Sequence, residues 1–322
     1  MIEEEETLNV LDKLVLRIRE WRFNVFKFAL DVFKMMPAEP IDSLRGKPIQ
    51  YTDMYGNIHT TILFDVDGRL VYHDLKMYTI DMFKDQTRKA YKSTLNSNRF
   101  TWQQTLELEA YNRAINTFDK DSFNMAQRWI SICSGHGIGK TSFLSVISLH
   151  FLMCFFHSQV GVTANTEDQL KDIFLKELSM WKSKIEDDVL REQIEVLDDV
   201  VRIKGAKDWF LRARVARPEK PEALAGLHGH YVLVIADEAS AVANAVFEVM
   251  KGALTGENYI VIYTSNPTRT EGEFYESQKD GAKNTRLRFT SRESPIVKEG
   301  YIDKMEEDYG KDSDEVRIRV DG

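Results

Sequence analysis

The chain has 322 residues, 43% of them apolar and 29% charged, with a formal net charge of −8 at neutral pH. This composition excludes global disorder and supplies enough apolar mass for a full α/β core, in one large domain or two smaller ones. The acidic balance excludes a surface that binds nucleic acid all over and leaves room only for a local basic site. The two cysteines, Cys133 and Cys154, lie in apolar runs and read as small buried hydrophobes in a reducing compartment. The opening Met-Ile-Glu-Glu-Glu-Glu has no secretory character. Residues 143–160, the most apolar stretch, are broken by His150, His157 and Gln159, so a core helix running into a strand is expected rather than a membrane span.

Leu8, Leu11, Leu14, Val15, Ile18, Trp21 and Val25 recur at helical spacing and predict one long helix over residues 7–36, closed by Pro37 and Pro40. Arg17, Arg19 and Arg22 lie between them. The helix is expected to pack on the body, with a membrane- or partner-surface role as the alternative. Residues 41–98 change character. Ile49, Tyr51, residues 60–64 and residues 70–72 form short strand-like runs separated by Tyr-Gly-Asn and Asp-Val-Asp-Gly turns, which predicts a β-hairpin. Asp65-Val-Asp-Gly68 starts like a calcium loop but lacks the remaining ligands. Residues 84–91 read as helical and 93–98 as a polar linker. A further helix is expected from Phe100, with Trp102-Gln103-Gln104 at its start. A Gln amide has a donor and an acceptor and can read adenine, although Gln at a helix N-terminus is also an ordinary structural choice.

Ile130 and Ile132 with Cys133 predict a buried strand, Ser134-Gly-His-Gly-Ile-Gly139 a tight loop, and Lys140-Thr141-Ser142 the start of a helix carrying Phe143, Leu144, Val146 and Ile147. Strand, loop and helix in that order suit phosphate binding. Gly135, Gly137 and Gly139 let backbone N–H groups approach phosphates, Lys140 reaches the β and γ oxygens, and the Thr141 hydroxyl sits on Mg²⁺. The strict pattern asks for Gly where Ser134 stands, and the competing reading is a glycine-rich turn with an incidental Lys-Thr.

Farther on, residues 160–163 read as a strand, and 164–168 as the cap of a helix carrying Leu170, Ile173, Phe174, Leu178 and Trp181. Residues 200–203 and 209–215 read as an antiparallel pair. The Pro- and Gly-rich run 216–229 is expected to be a loop near the nucleotide. Residues 231–236 form an aliphatic strand from whose C-terminal end Asp237 and Glu238 emerge. In an open α/β sheet ligands bind at that end. Asp237 is placed to hold Mg²⁺ and Glu238 to activate water, the alternative being Asp237 as a helix N-cap. The strand at 259–263 ends in Thr264-Ser-Asn-Pro267, a tip able to sense a terminal phosphate or a plain turn. Residues 286–289 read as a strand, and a helix runs through Tyr301, Ile302 and Met305.

These motifs resemble the ATPase domain of the large terminase subunit, the motor that packages DNA into tailed-bacteriophage and herpesvirus capsids. The matching stretches are Trp21-Arg, Phe28, Val32-Phe33, Trp102-Gln103, Ser134-Gly-His-Gly-Ile-Gly-Lys-Thr141, Lys220-Pro-Glu-Ala-Leu-Ala-Gly-Leu-His-Gly229, Ile235-Ala-Asp-Glu-Ala239, Ser265-Asn-Pro267, Ser291-Arg-Glu-Ser-Pro295 and the closing Tyr309-Gly-Lys-Asp-Ser with Arg317-Ile-Arg-Val320. The resemblance implies an α/β P-loop NTPase of the additional-strand, catalytic-glutamate type. A mostly parallel sheet flanked by helices would form the core at 99–294, preceded by an N-terminal helical segment (1–40) and a hairpin insertion (41–98) and followed by a C-terminal segment (295–322).

Carried over position by position, residues 134–142 bind ATP, Thr141 and Asp237 hold Mg²⁺, and Glu238 is the catalytic glutamate with Lys140. Gln103 resembles the adenine-reading Gln, with Gln104 as alternate, and Ser265 and Asn266 resemble the coupling motif. His136 stands where the family carries Arg or Lys, and His228 where many members carry an Arg. Arg214, Arg217 and His228 are therefore the candidates for a catalytic cation. The resemblance further implies weakly bound double-stranded DNA, a portal protein and a small terminase subunit. The acidic balance makes any DNA site local, and Lys204, Lys207, Arg212 and Arg214 lie near loops without forming a clean stripe, each reading equally as a solvated charge on a strand pair. It also implies a homo-oligomeric ring when assembled, from a monomer in isolation, in the host cytoplasm and without membrane contact. Family members continue into a metal-dependent nuclease, and none is expected within these residues. A helicase-like nucleic-acid remodeller and a nucleotide-dependent switch or scaffold are the alternatives.

Overall fold

The computed structural model describes residues 10–39, 45–52, 58–62, 66, 97–120, 125–215, 217, 219, 224, 226–252, 254 and 256–322. The strand expected at 70–72, the helix expected at 84–91, and residues 220–223 and 225 of the Pro- and Gly-rich run lie outside them.

The N-terminal segment forms two helices, α1 (Val10–Arg22) and α2 (Val25–Phe33), where one was expected. Asn24 makes the break: its side-chain oxygen accepts the Lys27 N–H at 3.0 Å and starts α2 afresh. A short amide side chain offers the backbone an alternative to continuing the helix, which spacing alone does not register. The turn folds α2 back so that the buried rings of Trp21 and Phe28 meet edge to face at 5.7 Å, and the Trp21 indole N–H donates to Asp31 at 2.8 Å. In the insertion, β1 (Pro48–Thr52) and β2 (Ile58–Ile62) pair antiparallel, as the turn pattern predicts.

The next helix, α3 (Trp102–Ile115), is opened by a capping box in which Thr101 and Gln104 exchange backbone and side-chain hydrogen bonds. The main sheet follows: β3 (Trp129–Ser134), then α4 (Lys140–Cys154), β4 (Gln159–Thr163), a wide π-helical stretch Gln169–Leu175 running into α5 (Lys176–Ser183), and α6 (Asp188–Glu192). The widened turns rotate Ile173, expected on the buried face, out to solvent, while Leu170, Phe174 and Leu178 stay buried. Then come β5 (Ile194–Val196), β6 (Val200–Ile203), β7 (Phe210–Ala213), β8 (Tyr231–Asp237), α7 (Asn244–Gly252), β9 (Asn258–Ser265), α8 (Glu273–Ser277), β10 (Thr285–Phe289) and α9 (Glu299–Tyr309).

The sheet has 8 strands in the order β10-β3-β9-β8-β4-β7-β6-β5. It is parallel from β10 to β7, with β6 and β5 added antiparallel at one edge. Every residue of β8 is buried. Leu233 and Ile235 enter the core that holds α1–α5, and Val232, Val234 and Ala236 the core under Phe247 and Met250 of α7. A strand alternates faces, so helices on both sides require apolar residues throughout. The decisive feature is β9, which stands between β3 and β8 and is therefore the additional strand of the expected P-loop class.

Helix α4 crosses under α1 through His150, which is fully buried. One ring nitrogen meets the Tyr111 hydroxyl at 2.8 Å and the other the Trp21 carbonyl at 2.9 Å. The nitrogen facing the carbonyl carries the proton, so the other accepts from Tyr111. Burial pushes the imidazole pKa down to about 4, opposed by the Trp21 carbonyl. The unfolded chain binds this proton near pH 6.5 and the folded chain only near 4. Stability from His150 is thus complete above 6.5 and falls between 6.5 and 4 by roughly 3 kcal/mol. Urea unfolding at pH 7 and pH 4.5 is expected to show this loss, and His150→Gln to reduce it. An unchanged pH slope in the variant would count against the assignment. Both cysteines are buried thiols. Among the described residues no helix is long and apolar enough to cross a membrane.

Candidate active site

The connection from β3 to α4 is short and left-handed at Gly137 (φ 74°) and Gly139 (φ 90°), conformations that favour glycine. Phe143 is the first residue of α4 whose N–H bonds back, to the Gly139 carbonyl at 3.1 Å. The N–H groups of residues 137–142 find no acceptor among the described residues. Consecutive unpaired donors at a helix N-terminus form a cradle for phosphate oxygens. Ser134, in the position of the first glycine of the strict pattern, accepts Lys140 Nζ at 2.9 Å and donates to the Gly135 carbonyl. The serine thus holds the lysine over the loop. Ile138 is buried beneath it.

Asp237 ends β8. Its Oδ1 accepts from the Thr264 hydroxyl at 2.6 Å and from the Glu238 N–H at 3.0 Å, while Oδ2 has no partner among the described residues. No helix is capped by it, because only a short 3₁₀ turn, Ala239–Ala241, follows. Glu238 sits at φ 50°, a left-handed conformation costing a non-glycine residue about 1–3 kcal/mol. That backbone aims the carboxylate at the Ser265 hydroxyl, 3.4 Å away. Burial raises the Glu238 pKa and Asp237 adds to the rise, while Lys140, Ser265 and the Asn266 backbone oppose it.

Because β9 lies between β3 and β8, its tip reaches both. Asn266 donates to the Ser134 carbonyl at 2.6 Å and its amide oxygen stands 3.5 Å from Lys140 Nζ. Lys140, Asp237, Glu238, Ser265 and Asn266 are thereby joined in one hydrogen-bonded cluster. The Thr141 hydroxyl has no partner among the described residues, whereas Ser142 donates to Glu177 of α5. The unpaired Thr141 hydroxyl and Asp237 Oδ2 are hard oxygen donors of the kind Mg²⁺ takes, so the residues present fit that ion.

A contact not foreseen from sequence is the seating of the C-terminal residues on the outer rim of this loop. The His136 N–H donates to the Arg319 carbonyl at 2.8 Å and the Gly135 N–H to the Phe289 carbonyl at 3.1 Å. The hydroxyls of Ser291 and Ser294 donate to the carbonyls of His136 and Gly137. A Cβ at Gly135 would lie 2.2 Å from Ser291 Oγ, so only glycine fits there. Partial desolvation at the rim of the loop, with Lys140 and Arg319 nearby, holds the His136 pKa below the ordinary value.

Of the two glutamines, Gln104 meets the loop, with Nε2 3.3 Å from the Gly139 carbonyl. Gln103 is fully buried with neither amide atom partnered. The capping pattern Thr101-x-x-Gln104 was the sequence signal for this orientation. The cation candidates lie apart from the cluster. Arg214 follows β7, four strand positions from β3 or roughly 19 Å, and pairs with Asp199 at 3.2 Å; Arg217 is exposed. His228 lies at the opposite end of the sheet, its N–H on Gln159 at the start of β4, with all of β8 between it and Glu238. The His228 end of its loop is therefore not beside the cluster. Leu224 and Leu227 are buried against Gly161, where a Cβ would lie 2.6 Å from Leu227, so apolar packing draws the segment onto the sheet.

No family model matches the chain. A curated protein described as a probable terminase, large subunit, from Enterobacteria phage P7 is 34% identical over 207 residues, covering 60% of this chain and 42% of that protein. The match therefore spans less than half the length of that relative. Among solved structures, the large terminase of bacteriophage HK97 superimposes with a TM-score of 0.52 at 13% identity, over 68% of this chain and 49% of that one. The large terminase of the thermophilic bacteriophage D6E gives 0.50 at 14% identity, over 69% and 52%. The chain is thus similar in sequence to one probable terminase large subunit and in fold to large terminases of known structure.

Proposed function

We propose that the chain is the ATP-hydrolysing motor part of a terminase large subunit and drives double-stranded DNA into a procapsid. The observation that carries this reading is the β9 tip, which touches Glu238 through Ser265 and Lys140 through Asn266. One strand end thus senses both the hydrolysing carboxylate and the phosphate-holding lysine. In the proposed reaction the free N–H groups of residues 137–142 take the phosphates, and Lys140 leaves Ser134 for the β and γ oxygens. Mg²⁺, held by Thr141 and Asp237, would neutralise charge on the phosphates. Glu238 orients water in line with the γ-phosphorus and takes its proton, a role its raised pKa suits.

Arg214 and Arg217, exposed and distant from their own cluster, are the candidates to reach a neighbouring subunit's site in a ring. The proposal places the assembled motor in the host cytoplasm with a portal protein and a small terminase subunit, and assigns no nuclease step to these residues. A third strand bound to duplex DNA reports translocation. With ATP and a portal ring, the protein is expected to displace it, and Glu238→Gln is not. Displacement failing in a preparation that hydrolyses ATP would remove the motor from this reading and leave the ATPase.

A further inference from the structure

Beside the β9 tip, on the face of the sheet away from α4, lies an open cavity of about 380 Å³ whose lining includes Cys133, Pro267, Arg269, Tyr275, Lys279 and Arg288. In a chain of net charge −8, three cations around one concavity form the kind of local basic site that the acidic composition leaves possible. Their partners show how each is held. The Arg288 guanidinium is braced by Gln278, with Nε 3.1 Å from its side-chain oxygen, and Lys279 lies over the Tyr275 ring at 4.7 Å while pairing with Glu276. Asp280, the acid on the rim, is drawn toward Arg286 at 2.9 Å. Arg269 is exposed and has no hydrogen bond or ion pair among the described residues.

We propose that this cavity binds the phosphodiester backbone of duplex DNA, with Arg269 and Arg288 on successive phosphates and Lys279 beside them. Two braced cations and one unpaired Arg match a ligand that is itself a row of anions, since phosphate oxygens accept the forked donors of arginine. The place matters for the motor. Arg269 is three residues beyond Asn266, which grips Ser134 and faces Lys140, so backbone bound at Arg269 pulls on the strand tip that meets the hydrolytic cluster. The coupling rests on the ATPase reading; the binding does not.

The test is fluorescence anisotropy of a labelled duplex with the full chain over a salt series, beside ATP turnover with and without DNA. Arg269→Glu is expected to weaken duplex binding at least tenfold and Arg269→Ala to reduce the slope of log K against log salt by about 0.9. Arg269→Lys keeps most of the binding, and Lys204→Ala with Lys207→Ala, on the far antiparallel edge, leaves it unchanged. In Arg269→Glu, basal turnover and thermal midpoint stay at wild-type values while DNA stimulation is lost. Undiminished binding by Arg269→Glu, loss in the Lys204 and Lys207 variant instead, or no duplex binding by the wild type at low salt each overturns the proposal. Inorganic phosphate competing as well as the duplex at equal ionic strength overturns it in favour of a free-phosphate site. Absent ATP turnover with the binding pattern intact would instead count against the ATPase reading alone.

Discussion

Glu238→Gln is expected to bind ATP with near wild-type affinity and to hydrolyse it about 10²–10⁴-fold more slowly, the range over which a positioned base contributes. The substitution keeps the side chain's length and its acceptor toward Ser265, 3.4 Å from the carboxylate, so the left-handed backbone at this residue has no new reason to move. What it removes is the ability to take a proton. The same residue sets an acid limit. Burial has raised its pKa above the ordinary carboxylate value, and the ionised form is the active one, so turnover falls as pH drops through that raised pKa. Single-turnover hydrolysis against pH reads both effects, and loss of nucleotide binding together with hydrolysis would point to a folding defect instead.

Lys140→Ala is expected to weaken ATP binding roughly 100-fold, as befits the loss of hydrogen bonds from a charged donor. Two further changes follow from its neighbours. Ser134 Oγ and Asn266 Oδ1 lose the cation they share, and Glu238 loses a charge that opposes its raised pKa, so any residual activity shifts to higher pH. Titration calorimetry with a non-hydrolysable ATP analogue measures the first effect. Unchanged affinity would place the nucleotide somewhere other than this loop.

The centre of the site was legible because its chemistry is local. Ser134 to Thr141 and Asp237-Glu238 each lie at the end of a buried strand, and hydrophobic runs followed by glycine or carboxylate announce such ends directly. The hairpin at β1 and β2 and the antiparallel pair β6 and β7 followed from turn chemistry in the same way. What escaped was decided by side chains acting on the backbone or by contacts distant in sequence. Asn24 divides a helix whose apolar spacing runs on unbroken, and the widened turns at Gln169–Leu175 rotate Ile173 outward. The carbonyls of Phe289 and Arg319 that meet the loop are main-chain groups, which any residue supplies, so no residue type marks them. His228 is displaced for a tertiary reason: Leu224 and Leu227 bury themselves over Gly161 and carry the segment to the other end of the strands.

At the core of the proposed function stands one hydrolytic site made by the loop, the two carboxylates and the β9 tip. Phosphate release from Mg·ATP, measured at saturating nucleotide for the wild type and for Glu238→Gln side by side, tests it most directly. Steady release by the wild type and its near-complete loss in a variant that still holds ATP are expected. Equal rates in the two proteins, or no release by the wild type with DNA and a portal ring present, would contradict it.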